Sequence, residues 1–425
     1  FSGTEFALDG VWGMAKTSHS YLILHPGLVL VEYNGHPAAK KLLLEIADGL
    51  LAQRKKDENG NYYIPLRILF PSGDGEGRSS FGSAYHLLWA CWRWTGERKY
   101  IDPILDSGYG IIGSLNANLI DMLGKRKSWG TDIASRITPQ SGSDLYRHIA
   151  WQVTGNKHFL EECYADQIQT HSQRMNMYTE GHWWTDRVHS YSRELQRARL
   201  GGIALARSAL YPGHHVSWKF KAPFSEESVA ILIPDATTKQ MSIIAFNLET
   251  KAVTAVMTGW DIEPGKWEVV QGIDNDGDDA ADTIINKQTV DFERTGELEF
   301  TFPPKKTTII KLKLKRKAKQ YWKRPDLGIG DDDVTVRGNS VIVTVHSLGS
   351  VDAPKSTLAL IDASGKTVAS GAIPSLNAPS DYKPKTVEII LNAPTGTRLL
   401  GYSVTVNPDG KLNEITRRNN TVIIP

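Results

Sequence analysis

Three segments with one grammar decide how the first half of this chain folds: VEYNGHPAAKKLLLEIADGLL (Val31–Leu51), WRWTGERKYIDPILDSG (Trp92–Gly108) and WQVTGNKHFLEECYADQI (Trp151–Ile168). Each opens on the end of an apolar helix, turns at Gly35, Gly96 or Gly155, and continues into a second amphipathic helix. Glycine just past a helix is the usual left-handed cap, because a side chain there would crowd the backbone. Helical spacing marks the helices ahead of the turns. Tyr85, Leu88, Trp89 and Trp92 recur at helical intervals before Gly96, and Tyr146, Ile149 and Ala150 do so before Gly155.

The glycines lie 61 and 59 residues apart, a period that predicts stacked two-helix units. Hairpins of this length predict an α/α toroid. A closed ring of six needs roughly 360 residues at this period. Only three hairpins and a last helix over Val188–Arg207 are legible here. The expectation is a partial toroid over residues 1–214: either the ring is open or, the favoured reading, its first half lies on an upstream polypeptide. The opening FSGTEFALDG shows no initiator Met and no signal-peptide pattern, which reads as a processed product or the C-terminal part of a longer chain.

The bulk composition narrows the classes. A length of 425 residues implies two to four domains. A hydrophobic share of 40% and a charged share of 23% belong to a soluble globular protein. A net charge of only +2 does not favour a nucleic-acid partner, which needs a concentrated basic face. No apolar run reaches the roughly 18 residues of a membrane span. Twelve tryptophans and fifteen tyrosines fill cores, but such rings also stack on the apolar C–H faces of sugars. Cys91 and Cys163 fit no metal spacing and read as small buried residues; whether they pair stays open.

After YPGHHVSWKF the pattern changes to short alternating runs (SVAILIP, MSIIAFNL, AVTAVMTGW, WEVVQGI, ELEFTF, TTIIKLKLK), which predict an antiparallel β-sandwich over 215–317. Its last strand alternates Ile310, Leu312 and Leu314 with Lys311, Lys313 and Lys315, read as an exposed edge guarded by lysines. The basic run KRKAKQYWKR reads as a solvated strand end and linker. Within the sandwich, GIDNDGDDAADT places Asp274, Asp276, Asp278 and Asp282 at alternate calcium-loop positions, although Ile285 stands where the closing glutamate belongs. A structural Ca²⁺ or a solvated acidic hairpin both fit. No cofactor for the chemistry is expected.

The final segment, 326–425, alternates strictly and has hairpin turns at Gly338-Asn339 and Ser364-Gly365. Through VTVHSLGSVDAP (Val343–Pro354), ALIDASGK and NEITRRNN (Asn413–Asn420) it resembles a CARDB domain, a bacterial immunoglobulin-like module related to cell adhesion. The resemblance implies a secreted, periplasmic or cell-surface protein of bacteria, and says nothing of chemistry. The fold class expected for the whole is multidomain α+β: helical hairpins, an antiparallel sandwich, then an immunoglobulin-like sandwich.

Chemistry concentrates in MNMYTEGHWWTDRVHSYSRELQRARLGG (Met175–Gly202). A loop rich in Glu, His and Trp leads into a helix on which His189, Arg193, Gln196 and Arg197 share a face, with Leu195, Ile203 and Leu205 toward the core. These residue types suit eliminative cleavage of a uronate polymer. The proton beside the carboxylate becomes removable once Asn, Arg, His or a protonated Glu neutralises that charge, and Tyr or His then carries protons. By its order of domains and these residue types, the region before residue 317 is similar to toroid-type polysaccharide lyases of the heparinase II/III-like kind. The resemblance implies Tyr191 as base or acid. It implies His182 and His189 as proton-transfer or neutralising partners, and Arg187 and Arg193 as carboxylate binders. Asn176, Glu180 and Arg197 would support them, and Trp183 and Trp184 would stack on sugar. The competing reading is a buried ion-pair network locking helices to sandwich.

A second candidate, PSGDGEGRSS (Pro71–Ser80), carries Asp74, Glu76 and Arg78, with Tyr85, His86 and Trp89 on the helix behind it. It could form a lid or substrate loop, but it lacks the GK[ST] of a phosphate loop, and a plain exposed loop is the better reading. His214 and His215 read as structural, since neighbours on a strand point oppositely. A glycoside hydrolase on this scaffold needs two carboxylates about 5–10 Å apart. Asp74, Glu76, Glu180 and Asp186 are the candidates. A non-catalytic glycan-binding or adhesion protein is the third reading.

Overall fold

The computed structural model describes residues 24–65, 67–68, 72, 74–78, 82–108, 112, 115, 124, 127–138, 143–173, 193–204 and 213–425. The chain forms two compact units: one of residues 1–25 and 44–317, the other of Pro26–Leu43 with Ala318–Pro425. Their boundary falls inside a helix, so the first hairpin belongs partly to each.

The described helices are α1 (His25–Asn34), α2 (Pro37–Ala52), α3 (Gly82–Thr95), α4 (Arg98–Asp106), α5 (Lys127–Arg136), α6 (Asp144–Thr154), α7 (Lys157–Gln173) and α8 (Arg193–Leu200). The turns joining α1 to α2, α3 to α4 and α6 to α7 share one geometry. Gly35, Gly96 and Gly155 sit at φ +70°, +74° and +71°. Their N–H groups donate to the carbonyls of Val31, Trp92 and Trp151 at 2.8, 2.7 and 2.7 Å. The residue before each glycine then accepts from the N–H two positions on: Asn34 from His36 at 2.9 Å, Thr95 from Glu97 at 3.1 Å, Thr154 from Asn156 at 3.1 Å. Thus the glycine satisfies the outgoing helix and the side chain before it fixes the turn that leads into the next.

The last helix is shorter than its sequence pattern. α8 ends at Leu200, because Gly201 takes φ +70° and a Cβ on Gly202 would stand 2.1 Å from the Gly213 carbonyl. The expected stretches 188–192 and 205–207 lie outside the described residues.

Two sheets follow in the same unit. Among the short strands β1 (Lys55–Lys56), β2 (Tyr62–Tyr63), β3 (Arg67–Ile68) and β4 (Gly75–Glu76), β1 pairs with β2 and β3 with β4. The sandwich proper runs through β5 (Val216–Phe220), β6 (Val229–Thr237), β7 (Gln240–Asn247), β8 (Val253–Gly259), β9 (Gly265–Asp274), β10 (Thr283–Phe292), β11 (Glu297–Phe302) and β12 (Thr307–Lys317). One sheet has the order β10-β9-β12-β7-β6 and the other β11-β8-β5. Trp267, fully buried, anchors the core edge-on to Phe292, with ring centroids 5.9 Å apart. The lysine-bearing β12 is central in its sheet, not an edge, and so corrects the reading of its alternation. Its lysines stand on the solvated face, where Lys315 and Lys287 pair with Glu268 at 2.9 and 3.5 Å. Alternation reports which face is wet and is silent on which neighbours are present. Leu232 of β6 packs on the cluster of Ala150, Trp151, Phe159 and Leu160, tying helices α6 and α7 to the sandwich.

The other unit is a second sandwich. β15 (Ser340–Ser347) pairs with β13 (Leu327–Gly328) and β14 (Val334–Arg337) on one side and β18 (Thr386–Asn392) on the other. The partner sheet has the order β17 (Thr367–Ile373), β16 (Ser356–Ile361), β19 (Ser403–Val406), β20 (Thr421–Ile423). The β14–β15 hairpin turns at Gly338-Asn339 with Gly338 at φ +63°, and β16–β17 turns with Gly365 at φ +85°. The basic run before this unit is not wholly solvated. Arg324 is buried, donating to the carbonyls of Lys319 at 2.9 Å and Glu414 at 3.2 Å.

The first glycine turn is also a docking peg in this unit. Tyr33 donates to the buried Asp326, Asn34 donates to the Leu348 carbonyl at 2.7 Å, and His36 meets the Pro379 carbonyl at 3.0 Å while stacking on Tyr382. Burial pushes the Asp326 carboxyl up from 3.8 to about 6, against the hydrogen bonds from Tyr33, the Thr416 N–H and Asn419, with Glu414 adding to the rise.

Two expectations follow. Gly155→Ala costs about 1 kcal/mol, the price of the left-handed conformation alone, because no atom lies within 4 Å of the new Cβ. Gly35→Ala costs more, since its Cβ would stand 2.3 Å from that of Trp322. Thermal unfolding of both variants checks the order. Second, the raised Asp326 pKa means that the native state keeps a proton which the unfolded chain loses between 3.8 and about 6. Stability of this unit therefore falls as pH rises through that window, by about 3 kcal/mol for a change of this size. Asp326→Asn flattens the slope in denaturant titrations across pH, leaving the smaller contribution of Glu414, whose carboxyl burial also raises.

Candidate functional site

Most of the polar stretch falls outside what can be described. Asn176, Glu180, His182, Trp183, Trp184, Arg187, His189 and Tyr191 lie outside the described residues, as does Asp186; Arg193 and Arg197 lie on α8. The helix carries its polar face inward. Gln196, Arg197 and Ala198 are buried while Leu195 is half-buried, so the expected core side, Leu195 with Ile203 and Leu205, is corrected in part. Ile203 is fully buried, and Leu205 lies outside the described residues. The reversal follows from bonds that only the tertiary structure supplies. Arg197 Nη1 donates to Glu194 at 3.3 Å, its Nη2 donates to the Leu115 carbonyl at 2.8 Å, and Gln196 accepts from the Ala204 N–H at 3.0 Å. Burial lowers the Arg197 pKa to about 10, although Glu194 favours the charged form.

Helices α6 and α7 add charged groups that the sequence reading passed over. Arg147 donates to Asp144 at 3.2 Å and lies 3.8 Å from Asp166, and Gln167 donates to the other Asp144 oxygen. Burial raises the Asp144 carboxyl, with the charges of Asp166 and Glu194 adding to the rise. His148, next in sequence to Arg147, is buried against Trp151, edge to face with centroids 5.1 Å apart. The signal was present in DLYRHIAW, where Arg147 and His148 interrupt an apolar helix. The buried thiol of Cys163 is pushed up by burial, with Asp144 and Glu194 adding. Cys91 is buried too.

Tyr85 and His86 are both buried on α3. The Tyr85 hydroxyl accepts from Ser107 Oγ at 2.8 Å and from the Ile64 N–H at 3.3 Å, and burial raises its pKa. In front of them, the described part of Pro71–Ser80 is mostly exposed and irregular apart from the two-residue strand β4. Arg78 pairs with Asp57 at 3.1 Å over the Tyr63 ring, and Asp74 is exposed.

Between β8 and β9, Asp261 pairs with Arg93 of α3 at 2.6 Å. Burial would raise the Asp261 carboxyl, but Arg93, His215 and Arg294 outweigh it and hold the pKa down. His214 tilts against Trp260 with centroids 5.6 Å apart, and burial lowers its pKa to about 4. His215 Nδ1 bonds the Gly201 carbonyl at 2.9 Å.

No family model matches the sequence. No curated protein matches it either. Among solved structures, the β-glucuronidase of Ruminococcus gnavus bound to uronic isofagomine is 13% identical, over 41% of this chain and 33% of that chain, with a TM-score of 0.15. The same enzyme with an N1-substituted uronic isofagomine gives 12% identity over 44% and 36%, with a TM-score of 0.16. This chain thus spans about a third of the matched enzyme's length. At these TM-scores, fold and function rest on the residues themselves.

The acidic hairpin between β9 and β10 brings together three of the four expected ligands. The carboxylates of Asp274, Asp276 and Asp282 offer oxygens within 4.8 Å of one another. Asp278 stands apart from this group and caps the Ala280 N–H at 2.8 Å. Asp274, buried, accepts from the N–H groups of Gly277 at 2.6 Å and Asp279 at 3.1 Å, which shapes the loop before any ion arrives. We propose a calcium ion bound by Asp274, Asp276 and Asp282, structural in role. Millimolar Ca²⁺ is then expected to raise the melting temperature, chelator to reverse the rise, and Asp276→Asn with Asp282→Asn to abolish it. An identical melting curve with and without Ca²⁺ overturns the assignment.

Proposed function

We propose that this protein is a polysaccharide lyase that cleaves an acidic, uronate-containing polysaccharide by β-elimination. The observation that carries the reading is an order of parts. Two of the helical hairpins lead into an eight-stranded antiparallel sandwich within one compact unit, and the stretch richest in Tyr, His, Arg and Trp lies between them in the chain. The hairpins are read as part of an α/α toroid of the heparinase II/III-like kind. The C-terminal sandwich is read as a CARDB module of a secreted or cell-surface bacterial protein. Among the described residues no helix is long and apolar enough to cross a membrane.

In this proposal the chemistry needs three jobs done. Arg187 and Arg193 neutralise the sugar carboxylate, which makes the neighbouring ring proton acidic. Tyr191 takes that proton, and His182 and His189 relay or donate one to the leaving oxygen. Asn176, Glu180, Trp183 and Trp184 hold the sugar ring.

Incubation with a panel of uronate polymers tests the reading. A lyase generates an unsaturated, ultraviolet-absorbing product. A hydrolase releases reducing ends without that absorbance, and a glycan-binding or adhesion protein is retained on the polymer with neither. Tyr191→Phe is expected to lower the lyase rate by about a hundredfold or more, the usual weight of a general base. A variant of full activity removes Tyr191 from the role.

A further inference from the structure

Among the described residues, every tryptophan and tyrosine is buried or half-buried except two: Trp322, at 50% exposure, and Tyr382, at 57%. Far apart in sequence, these two flank one turn of the C-terminal unit. Trp322 packs on Gly35, where a Cβ would stand 2.3 Å from its own. Tyr382 stacks on His36, the next residue, with ring centroids 4.7 Å apart and planes 19° from parallel. Apolar residues scattered singly over a surface are ordinary, but two large rings on neighbouring residues of one turn form a patch.

Both rings are held in place. His36 is buried; its Nδ1 accepts from the Ala39 N–H at 3.2 Å and its Nε2 donates to the Pro379 carbonyl at 3.0 Å. The same carbonyl accepts from the Tyr382 N–H at 3.1 Å. Tyr382 takes φ +61°, an unfavourable conformation for a bulky residue. The imidazole thus backs one face of its ring while more than half of the residue stays in water. Trp322 sits in the short helical turn Tyr321–Lys323, anchored by the buried Tyr321 and Arg324 on either side.

Each ring is followed in the chain by an exposed lysine, Lys323 or Lys383, and among the described residues neither lysine has an ion-pair partner. The acids of the Tyr382 loop are engaged: Asp381 pairs with Lys385 at 2.8 Å, and Asp352 accepts from the Ala378 N–H at 2.7 Å. Flat rings stack on the apolar C–H faces of a pyranose, and a cation beside each ring matches a sugar that carries a negative charge. An apolar partner would strip water from the lysines and supply no counter-charge.

We propose that Trp322 and Tyr382, with Lys323 and Lys383, form a binding site for an acidic polysaccharide on the C-terminal unit, the rings stacking on sugar and the lysines pairing with its carboxylates. The class of sugar rests on the lyase reading; the exposed pair of rings does not. The site holds the polymer and takes no part in cleaving it.

Hydroxyl-radical footprinting of the full chain, read by mass spectrometry, tests it. An oligogalacturonate is expected to protect both Trp322 and Tyr382 from oxidation, and rising salt to remove that protection. A neutral cello-oligosaccharide of equal length is expected to protect neither. In gels cast with polygalacturonate, Trp322→Ala with Tyr382→Asn is expected to bind at least about fivefold more weakly. Asparagine tolerates the left-handed conformation, so the loop keeps its path. Lys323→Gln with Lys383→Gln is expected to weaken binding about threefold and to flatten its salt dependence. Either ring left unprotected in the wild-type chain, or both protected equally by the neutral sugar, overturns the proposal. Protection is read without cleavage, so the two readings separate. A chain protected at both rings that forms no unsaturated product sustains this site and ends the lyase reading; a chain that cleaves with both rings unprotected does the reverse.

Discussion

The helical part of this molecule depends on one backbone constraint: the chain must pass through a left-handed residue each time a helix ends and its partner begins. Gly35, Gly96 and Gly155 meet it at nearly identical φ, and in each case the side chain of the preceding Asn or Thr accepts the N–H of the residue just before the next helix. Because the turn is so short, α3 lies against α4 and α6 against α7 without a connecting loop. Everything placed on those helices inherits its position from the turns. That includes the buried Tyr85 on α3 and the Arg147-His148 pair on α6. At Gly35 the constraint has a second use, since the same turn carries Tyr33, Asn34 and His36 into the C-terminal sandwich.

The buried charges of α6, α7 and α8 decide how the polar residues of the candidate site should be weighed. Arg197, Glu194, Arg147 and Asp144 satisfy one another and nearby backbone, so much of this polarity holds the helices in register. A buried ion pair contributes little net stability once desolvation is counted, but removing one partner leaves a stranded charge.

The two β-units show how pattern and topology separate. Strict alternation along β12 correctly gives the wet and dry faces, with Ile310 and Leu312 inside and Lys311 and Lys313 outside. It could not give the neighbours, because pairing with β7 and β9 joins residues some thirty to seventy positions apart in the chain. Lysines on an exposed face and lysines on an exposed edge look the same in one dimension. The hairpins at Gly338 and Gly365 were legible, since a two-residue or tight turn is set by the conformation of its own glycine.

What the sequence alone determined is local: helix ends at glycines, strand faces from alternation, tight turns, and the multidomain α+β character that these add up to. Tertiary structure alone decided which face of α8 is buried, because Leu115 and Ala204 supply partners that no helical period encodes. It also decided that Asp326 would be buried under Tyr33, nearly three hundred residues away in the chain, and that Asp278 would leave the acidic cluster to cap its own loop. Short-range preferences act through bonds and sterics between neighbours, so they are written in order along the chain. Long-range partners are chosen by burial and hydrogen-bond satisfaction, which exist only once the chain has closed on itself.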